Sequence, residues 1–402
     1  MNSKQRVFLS GLGVVCPAGN VPREIISYLS DKRNSRKYCA IGKPRLIRTE
    51  SGDLRCYVHQ IESIAQNDNF RNFDRHSEYA AIAAESALMD SDVRLEPYAD
   101  DRKGVRLGTF VSIATSMSKF DESVLAHGPR RCNIGVFPST VMSAAASRLS
   151  ILKSIRGANS TLCSGKNSGF DAIGYSFLEI RNGQKDVMVC GGSDALSDQI
   201  LLGLAGQDML FEEHVSVVPS QRTEKIIPSE GACIVVLSNK KPSKRNYSEI
   251  KAFQTGFTTA RRENIQARSS DLNRSINLAL ASAELSSIDI NVIMISSYFN
   301  QYDLDSEIGA IQMAMSSALN NVPILALKKH LGEGFSAFGA MLYVTANYLL
   351  TNQVKRNFIT NSNVNSLWCG TPTIVSNVML VAVDSFGHYS VAILNGERKN
   401  GK

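Results

Sequence analysis

Short apolar segments typical of buried strands alternate with helical segments along the chain, and this alternation limits the possible folds more than any other feature. The predicted strands are residues 6–15, 104–113, 186–191, 233–237, 292–296, 322–327, 378–383 and 391–394. The predicted helices are residues 77–89, 171–181, 271–283, 306–317 and 337–350. Because strands that alternate with helices form sheets with helices packed on their faces, the pattern predicts an α/β fold with buried sheets.

The alternation is interrupted near the middle of the chain. Residues 242–247 are polar and basic and open with a proline, which is typical of a linker. After this segment the same order of strands and helices begins again, without visible sequence identity to the first part. We therefore predict two halves of similar plan, residues 1–245 and residues 246–402.

The composition argues against several classes of protein. No apolar run reaches the length of about 18 residues that spans a bilayer, so no membrane association is predicted. The chain has 8 cysteines without a CxxC pair, which indicates reduced thiols in a cytoplasm rather than disulfides or a metal site. We expect neither a metal nor a cofactor, and we predict a cytoplasmic location.

Basic residues occur in small groups. The formal net charge is +7, and the groups lie at residues 32–37, 130–131, 240–245 and 261–262. Aromatic residues do not interleave with them as they do in nucleic-acid-binding stripes, so no nucleic acid partner is predicted. The groups form either an ordinary solvated surface or an electropositive face for an acidic partner.

A series of motifs resembles the β-ketoacyl synthases in its order and spacing. The matching segments are residues 6–19, 73–75, 137–146, 157–161, 168–175, 186–192 and 229–237. Each motif is weak alone, but together they run nearly from end to end. The resemblance implies the thiolase-like fold of that family, with five layers α/β/α/β/α built from two similar halves.

The family's cysteine nucleophile, at a strand-to-helix elbow, is replaced here. It lies nine residues after the glycine matched by Gly157 and three before the glycine matched by Gly169, and both counts lead to Lys166. A lysine cannot form the family's thioester and is a nucleophile only when deprotonated. Cys163 could serve as nucleophile only with a three-residue deletion and a compensating insertion. Otherwise it is a small buried residue of the strand before the elbow.

The family's two catalytic histidines are also replaced. The first position is Ser296, eleven residues before Glu307, which matches a glutamate of the family. The second lies five residues after Lys328, at Glu333. His330 is a possible substitute, although a partly exposed structural histidine is the plainer interpretation. We predict that Glu333 pairs with Lys166 and that Glu307 pairs with Lys328.

The family's glycine-rich C-terminal turn, which supplies backbone amides to its oxyanion hole, is shortened here. Residues 384–390 lack the second glycine pair. The scaffold motifs are therefore retained while three catalytic positions and a supporting turn have changed. Members that keep the fold without the nucleophile resemble chain length factors, which pair with an active ketosynthase and help shape its acyl tunnel. The glutamine often found at the cysteine position in chain length factors is absent, because that position is Lys166.

We predict a catalytically inactive ketosynthase-like subunit of bacterial type II polyketide, aryl polyene or related polyene biosynthesis. The expected partner is a catalytically complete ketosynthase in a heterodimer, with acyl carrier protein contacted through the complex. The resemblance implies pairing through residues 159–163, with residues 110–137 walling the partner's tunnel. The alternatives are an active condensing enzyme that uses Cys163 and a malonyl-carrier decarboxylase.

Overall fold

The computed structural model describes residues 4–31, 42–49, 52–62, 70, 73–211, 225–243, 247–351, 356–365 and 374–396. Its strands are β1 (Val7–Val15), β2 (Lys43–Thr49), β3 (Gly52–Val58), β4 (Lys103–Gly108), β5 (Ala158–Leu162), β6 (Val187–Asp194), β7 (Gly231–Ser238), β8 (Ser248–Phe257), β9 (Val292–Ile295), β10 (Ile324–Ala326), β11 (Asn377–Val383) and β12 (His388–Gly396). Its helices are α1 (Pro22–Ser30), α2 (Arg75–Asp90), α3 (Ala114–His127), α4 (Ala144–Leu152), α5 (Ser168–Arg181), α6 (Asp198–Gly206), α7 (Ile265–Ala283), α8 (Gln301–Met315), α9 (Lys328–Leu331), α10 (Phe335–Thr351) and α11 (Arg356–Ser362). No helix among these residues is long and apolar enough to cross a membrane.

The strand order repeats between the two parts of the chain. Ten strands follow the order β10-β9-β11-β12-β8-β1-β7-β6-β4-β5, and β2 and β3 form a separate hairpin. The first set of five is β1 and β4–β7, and the second is β8–β12. Read from the outer edge of the sheet inwards, each set places its third strand along the chain first, followed by its second, fourth, fifth and first strands. Each set has two parallel and two antiparallel neighbours in the same places. The predicted fold of two similar halves is confirmed, whereas the proposed domain boundary at residue 245 lies outside the described residues.

The two five-stranded parts lie on opposite faces of a central helical layer. Among the strands that the structure describes, the two parts pair with each other where β1 meets β8, at the pairs Val7–Ile250 and Phe8–Glu249. Helix α10 contacts both β6 and β9. The two strands are six positions apart in the strand order. In a flat sheet, with about 4.8 Å between neighbouring strands, they would lie about 29 Å apart, and a helix about 10 Å wide could not contact both. The sheet therefore folds around α5 and α10, while α2 and α4 cover one outer face and α7 and α8 the other.

The central layer depends on small residues for its close packing. A Cβ on Gly169 in α5 would lie 2.1 Å from the Ser336 carbonyl oxygen, and one on Gly192 in β6 would lie 2.4 Å from the same atom. Helix α10 is buried on all sides over most of its length. This explains its nearly continuous apolar sequence, because a helix buried all round needs no polar face.

Several predicted elements have different bounds in the structure, and two of them show the physical reason. The strand predicted at residues 104–113 ends at Gly108, because the chain then turns so that the amides of Phe110 and Val111 donate to Asp194 at 2.9 and 3.0 Å. The helix predicted from residue 271 begins earlier, at Ile265. The side chain of Asn264 accepts a hydrogen bond from the Ala267 amide there and caps the first turn.

Candidate functional site

The elbow between β5 and α5 is the centre of the candidate site. Lys166 lies in the short turn Gly165–Asn167, directly before α5. Gly165 has a φ of +79°, and a Cβ there would lie 2.3 Å from Asp384 Oδ2. Glycine is needed on both counts, since it adopts this conformation freely and leaves room for the carboxylate. The structure thus places Lys166 at the strand-to-helix turn where the sequence predicted it.

Glu333 lies between two lysines. Lys328 Nζ donates to Glu333 Oε2 at 2.7 Å, and Lys166 Nζ lies 3.4 Å from the same oxygen. The Phe335 amide donates to Glu333 Oε1 at 3.0 Å. The Lys166 side chain is 11% exposed and that of Glu333 3%. The predicted ion pair between Lys166 and Glu333 is confirmed.

This arrangement keeps the charges on both partners. Burial lowers the pKa of Lys166, but the carboxylates of Glu333, Asp303 and Asp384 outweigh it and raise the pKa above its ordinary value. Burial raises the pKa of Glu333, but Lys328 and Lys166 outweigh it and hold the pKa below its usual range. Lys166 is therefore an ammonium ion at neutral pH and has no free electron pair to attack a thioester.

Glu307 has different partners from those predicted. Its carboxylate accepts hydrogen bonds from Ser296 Oγ at 3.0 Å and from the Ser297 amide at 2.9 Å. No ion pair joins Glu307 to Lys328 in the described chain, because Lys328 pairs with Glu333 instead. The predicted pairing was wrong: the two serines at the end of β9 supply the donors that the glutamate needs.

The pKa of Glu307 provides a test of this environment. Burial raises the pKa to about 7, against the hydrogen bonds from Ser297 and Ser296. The folded state therefore binds the proton more tightly than the unfolded state, and wild-type stability is lost as pH rises through the folded pKa. The Glu307→Gln variant stays neutral at every pH. Relative to it, we expect the free energy of unfolding of the wild-type protein to fall by up to about 3 kcal/mol between about pH 5 and about pH 8.

Denaturant unfolding of both proteins at each pH measures this difference. The part of the difference that is equal at both pH values reports the altered hydrogen bonds of glutamine. The part that changes with pH reports the raised pKa of Glu307. If no part of the difference in unfolding free energy changes with pH, the raised pKa is contradicted.

Two further residues named from the sequence, Cys163 and His330, have different surroundings from those expected. Cys163 is exposed rather than buried, since it follows an edge strand. Partial burial and the Asp194 carboxylate raise the pKa of its thiol, so little thiolate is present at neutral pH. His330 is 1% exposed rather than partly exposed, because α9 packs into the core.

The sequence interpretation did not identify a buried group beside the elbow. Arg268 on α7 pairs with Asp303 on α8 at 3.2 Å, and both side chains are almost fully buried. Arg268 also donates to the Asp384 carbonyl at 3.1 Å, and Ser385 Oγ donates to Asp303 at 2.6 Å. No local pattern indicates these contacts, because they join three separate segments. Within the residues that the structure describes, the site is a network of paired charges around Lys166.

Comparison with known proteins gives consistent matches over most of the chain. A family model for the β-ketoacyl synthase N-terminal domain matches residues 4–243. The tetracenomycin polyketide synthase ketoacyl synthase alpha subunit of Streptomyces glaucescens is 22% identical over 363 residues, covering 85% of this chain and 83% of the relative. The 3-oxoacyl-(acyl-carrier-protein) synthase 2 of Staphylococcus aureus is 22% identical over 357 residues, covering 85% and 84%.

Solved structures match the fold over almost the full length. A ketosynthase (ApeO) in complex with its chain length factor (ApeC), from Xenorhabdus doucetiae, aligns with a TM-score of 0.80 at 18% identity. It covers 98% of each chain. The ishigamide ketosynthase/chain length factor aligns with a TM-score of 0.78 at 18% identity, covering 98% of this chain and 100% of the other. These likenesses confirm the thiolase-like architecture.

Proposed function

The chain belongs to the β-ketoacyl synthase family, and from that premise we propose that it is a catalytically inactive subunit of the chain length factor type. The observation that carries the proposal is the ion pair of Lys166 with Glu333 at the elbow where the family has its thiolate. Ser296 and Glu333 stand at the two histidine positions, so the groups that would bind a thioester carbonyl and promote decarboxylation are replaced as well.

A partner is part of this proposal. Strand β5 is at the edge of the sheet, and a solvent-facing edge can pair with a strand of another chain. The segment between β4 and β5 exposes large apolar side chains, namely Met117, Leu125, Ile134, Phe137, Val141, Met142 and Ile151. Such a collection on one segment favours an interface over a free surface. We propose that this face binds a catalytically complete ketosynthase.

The proposed role of the subunit is to help shape the site in which the partner ketosynthase extends its acyl chain. We propose that residues 110–137 help wall the acyl tunnel of the ketosynthase, and that acyl carrier protein is contacted through the complex. Complexes of a ketosynthase with a chain length factor among the solved structures support this arrangement. The biosynthetic setting that we propose is a bacterial type II polyketide or aryl polyene system.

Co-expression with a ketosynthase encoded beside it tests the proposal. We expect one copy of each chain to co-purify as a stable complex. Enlarging or shrinking Val136 or Phe137 should then change product length without abolishing condensation. A stable homodimer that does not bind the ketosynthase, together with unchanged product lengths, would contradict the proposal.

The isolated protein should form no acyl-enzyme. After incubation with an acylated carrier protein, intact-mass spectrometry is expected to show the unmodified mass, because Lys166 is an ammonium ion and the Cys163 thiol is mostly protonated. An adduct mapped to Cys163 would support the condensing-enzyme alternative. Conversion of malonyl-carrier to acetyl-carrier protein would support the decarboxylase alternative.

A further inference from the structure

The carboxylate of Asp194 gathers the residues that follow β4. Asp194 is the last residue of β6 and is fully buried. Its Oδ1 accepts hydrogen bonds from the Phe110 and Val111 amides at 2.9 and 3.0 Å. The hydroxyls of Thr109 and Ser112 donate to the same oxygen at 2.9 and 2.6 Å. One carboxylate oxygen therefore fixes four consecutive residues directly after the strand.

The other oxygen of Asp194 is bound to α10. The Ser336 amide donates to Asp194 Oδ2 at 2.9 Å, and the Ser336 hydroxyl donates to it at 2.5 Å. The preceding residue, Phe335, packs its ring against that of Phe110, with the ring centroids 5.9 Å apart. Phe335 has a φ of +49°, which is unusual for a bulky side chain and persists only where the surrounding structure holds it. Hydrogen bonds and a ring contact thus fasten the residues after β4 to the start of α10.

This attachment determines how the chain enters α3. Helix α3 begins at Ala114, two residues after Ser112, and it is preceded by Ile113, whose side chain has no polar group to cap the helix. Within α3, the ring of Phe120 contacts that of Phe137, with 5.5 Å between the ring centroids. The direction of α3 therefore affects where Phe137 lies on the segment proposed to face the ketosynthase.

An asparagine could not replace the carboxylate at this position. Both oxygens of Asp194 accept from backbone amides, and these amides cannot be reversed without rebuilding the chain. A side-chain amide has only one oxygen, so its NH2 group would face N–H donors on one of the two sides. We propose that Asp194 is a positioning residue that holds residues 110–137 against α10 and thereby sets the chain length made by the partner ketosynthase. This inference deepens the proposed function and rests on its assignment of residues 110–137 to the tunnel wall.

The test variant is Asp194→Asn, made in the chain that is co-expressed with the ketosynthase encoded beside it. Mass spectrometry of the carrier-bound products gives the ratio of the main product to the products one extension unit shorter or longer. We expect this ratio to fall by up to about tenfold, the factor that corresponds to one lost hydrogen bond to a charged group, with the total yield close to wild type. A loss of stability alone would lower the total yield and leave the ratio unchanged.

Glu249→Gln is the matched control. Glu249 is also a buried carboxylate, 5% exposed, but it lies where β1 meets β8 and pairs with Arg6 at 2.7 Å. The product ratio of this variant should equal that of wild type. If Asp194→Asn does not fold, Ser112→Ala takes its place, since it removes one donor and leaves the carboxylate intact. A smaller fall in the same ratio is then expected.

An unchanged ratio in Asp194→Asn, or in Ser112→Ala where it takes that place, would overturn the inference, as would an equal fall in Glu249→Gln. The proposed function has separate tests in the co-purification of the wild-type chains and in the Val136 and Phe137 variants. If those variants change product length while Asp194→Asn does not, the inference alone fails. If they also leave product length unchanged, the tunnel-wall assignment fails and the inference fails with it.

Discussion

Replacing Glu333 by glutamine is expected to lower the free energy of unfolding by about 3–5 kcal/mol, because removing one partner of a buried ion pair leaves an uncompensated buried charge. Glu333 is the carboxylate nearest to both Lys166 and Lys328, at 3.4 and 2.7 Å. All three side chains are nearly inaccessible to water, so solvent cannot replace the lost interaction.

Denaturant unfolding at neutral pH measures the effect, and Glu85→Gln is the matched control. Glu85 pairs with Lys153 at 2.7 Å, but the two side chains are 32% and 20% exposed. Because water reaches both side chains, this partly exposed pair should contribute much less than the buried one, about 1 kcal/mol, so the control should be close to wild type. Equal losses in the two variants would show that the Glu333 network is not a buried charge cluster.

The pH dependence gives a second measurement of the same variant. The folded-state pKa of Glu333 is depressed, so its contribution to stability is present above the ordinary pKa of a glutamate and is lost as pH falls through the folded-state pKa. We expect the stability difference between wild type and Glu333→Gln to shrink as the solution is acidified. A difference that grows in acid would contradict the depressed pKa.

Replacing Thr161 by proline is expected to abolish binding to the ketosynthase, with a loss of affinity on the order of 100-fold or more, which corresponds to about 2.8 kcal/mol. The Leu162 carbonyl accepts from the Thr109 amide, so Leu162 directs its backbone groups toward the β4 side. Because backbone groups alternate along a strand, the Thr161 amide points away from β4 to the open edge. Proline removes that donor without removing a hydrogen bond to β4.

Thr161→Val is the control, since it keeps the backbone amide and the branched shape. The Thr161 hydroxyl is buried without a hydrogen-bond partner among the described residues, so its loss should not destabilise the subunit. Size-exclusion chromatography of the co-expressed chains measures the complex, and circular dichroism of each isolated variant confirms folding. Equal complex formation by the two variants would place the interface elsewhere than at β5.

The sequence alone predicted the α/β class from the alternation of strands and helices, while the resemblance to the β-ketoacyl synthases implied the fold of two similar halves and the residues that match the family's catalytic positions. The class and these positions were read from short segments of the chain. A buried strand such as Val292–Ile295 is a continuous apolar run in the sequence, and Ser296 is recognised because it comes directly after it. Lys166 was located by counting from Gly157 and Gly169 within one continuous segment. Residues that directly follow a strand can therefore be located from the sequence without knowledge of any tertiary contact.

The choice of partners within the site was decided only by the tertiary structure. From the sequence, Glu307 and Glu333 were both available to Lys328, and the pairing of Lys328 with Glu307 was the wrong choice. Lys328 and Glu333 are five residues apart, and their side chains meet directly. Glu307 instead accepts a hydrogen bond from Ser296, which follows β9. Such choices depend on side-chain directions and competing donors, neither of which the order of residues shows.

Asp384 is the clearest case of a contact that only the tertiary structure reveals. It lies 218 residues from Lys166 along the chain, and the two meet because α5 and the turn after β11 converge at the same edge of the folded sheet. The sequence showed that Asp384 lies in a turn. Only the structure shows that its carboxylate accepts a hydrogen bond from the Lys166 amide at 2.6 Å. Distance along the chain carries no information about such a contact, since the packing of separate elements brings the two atoms together.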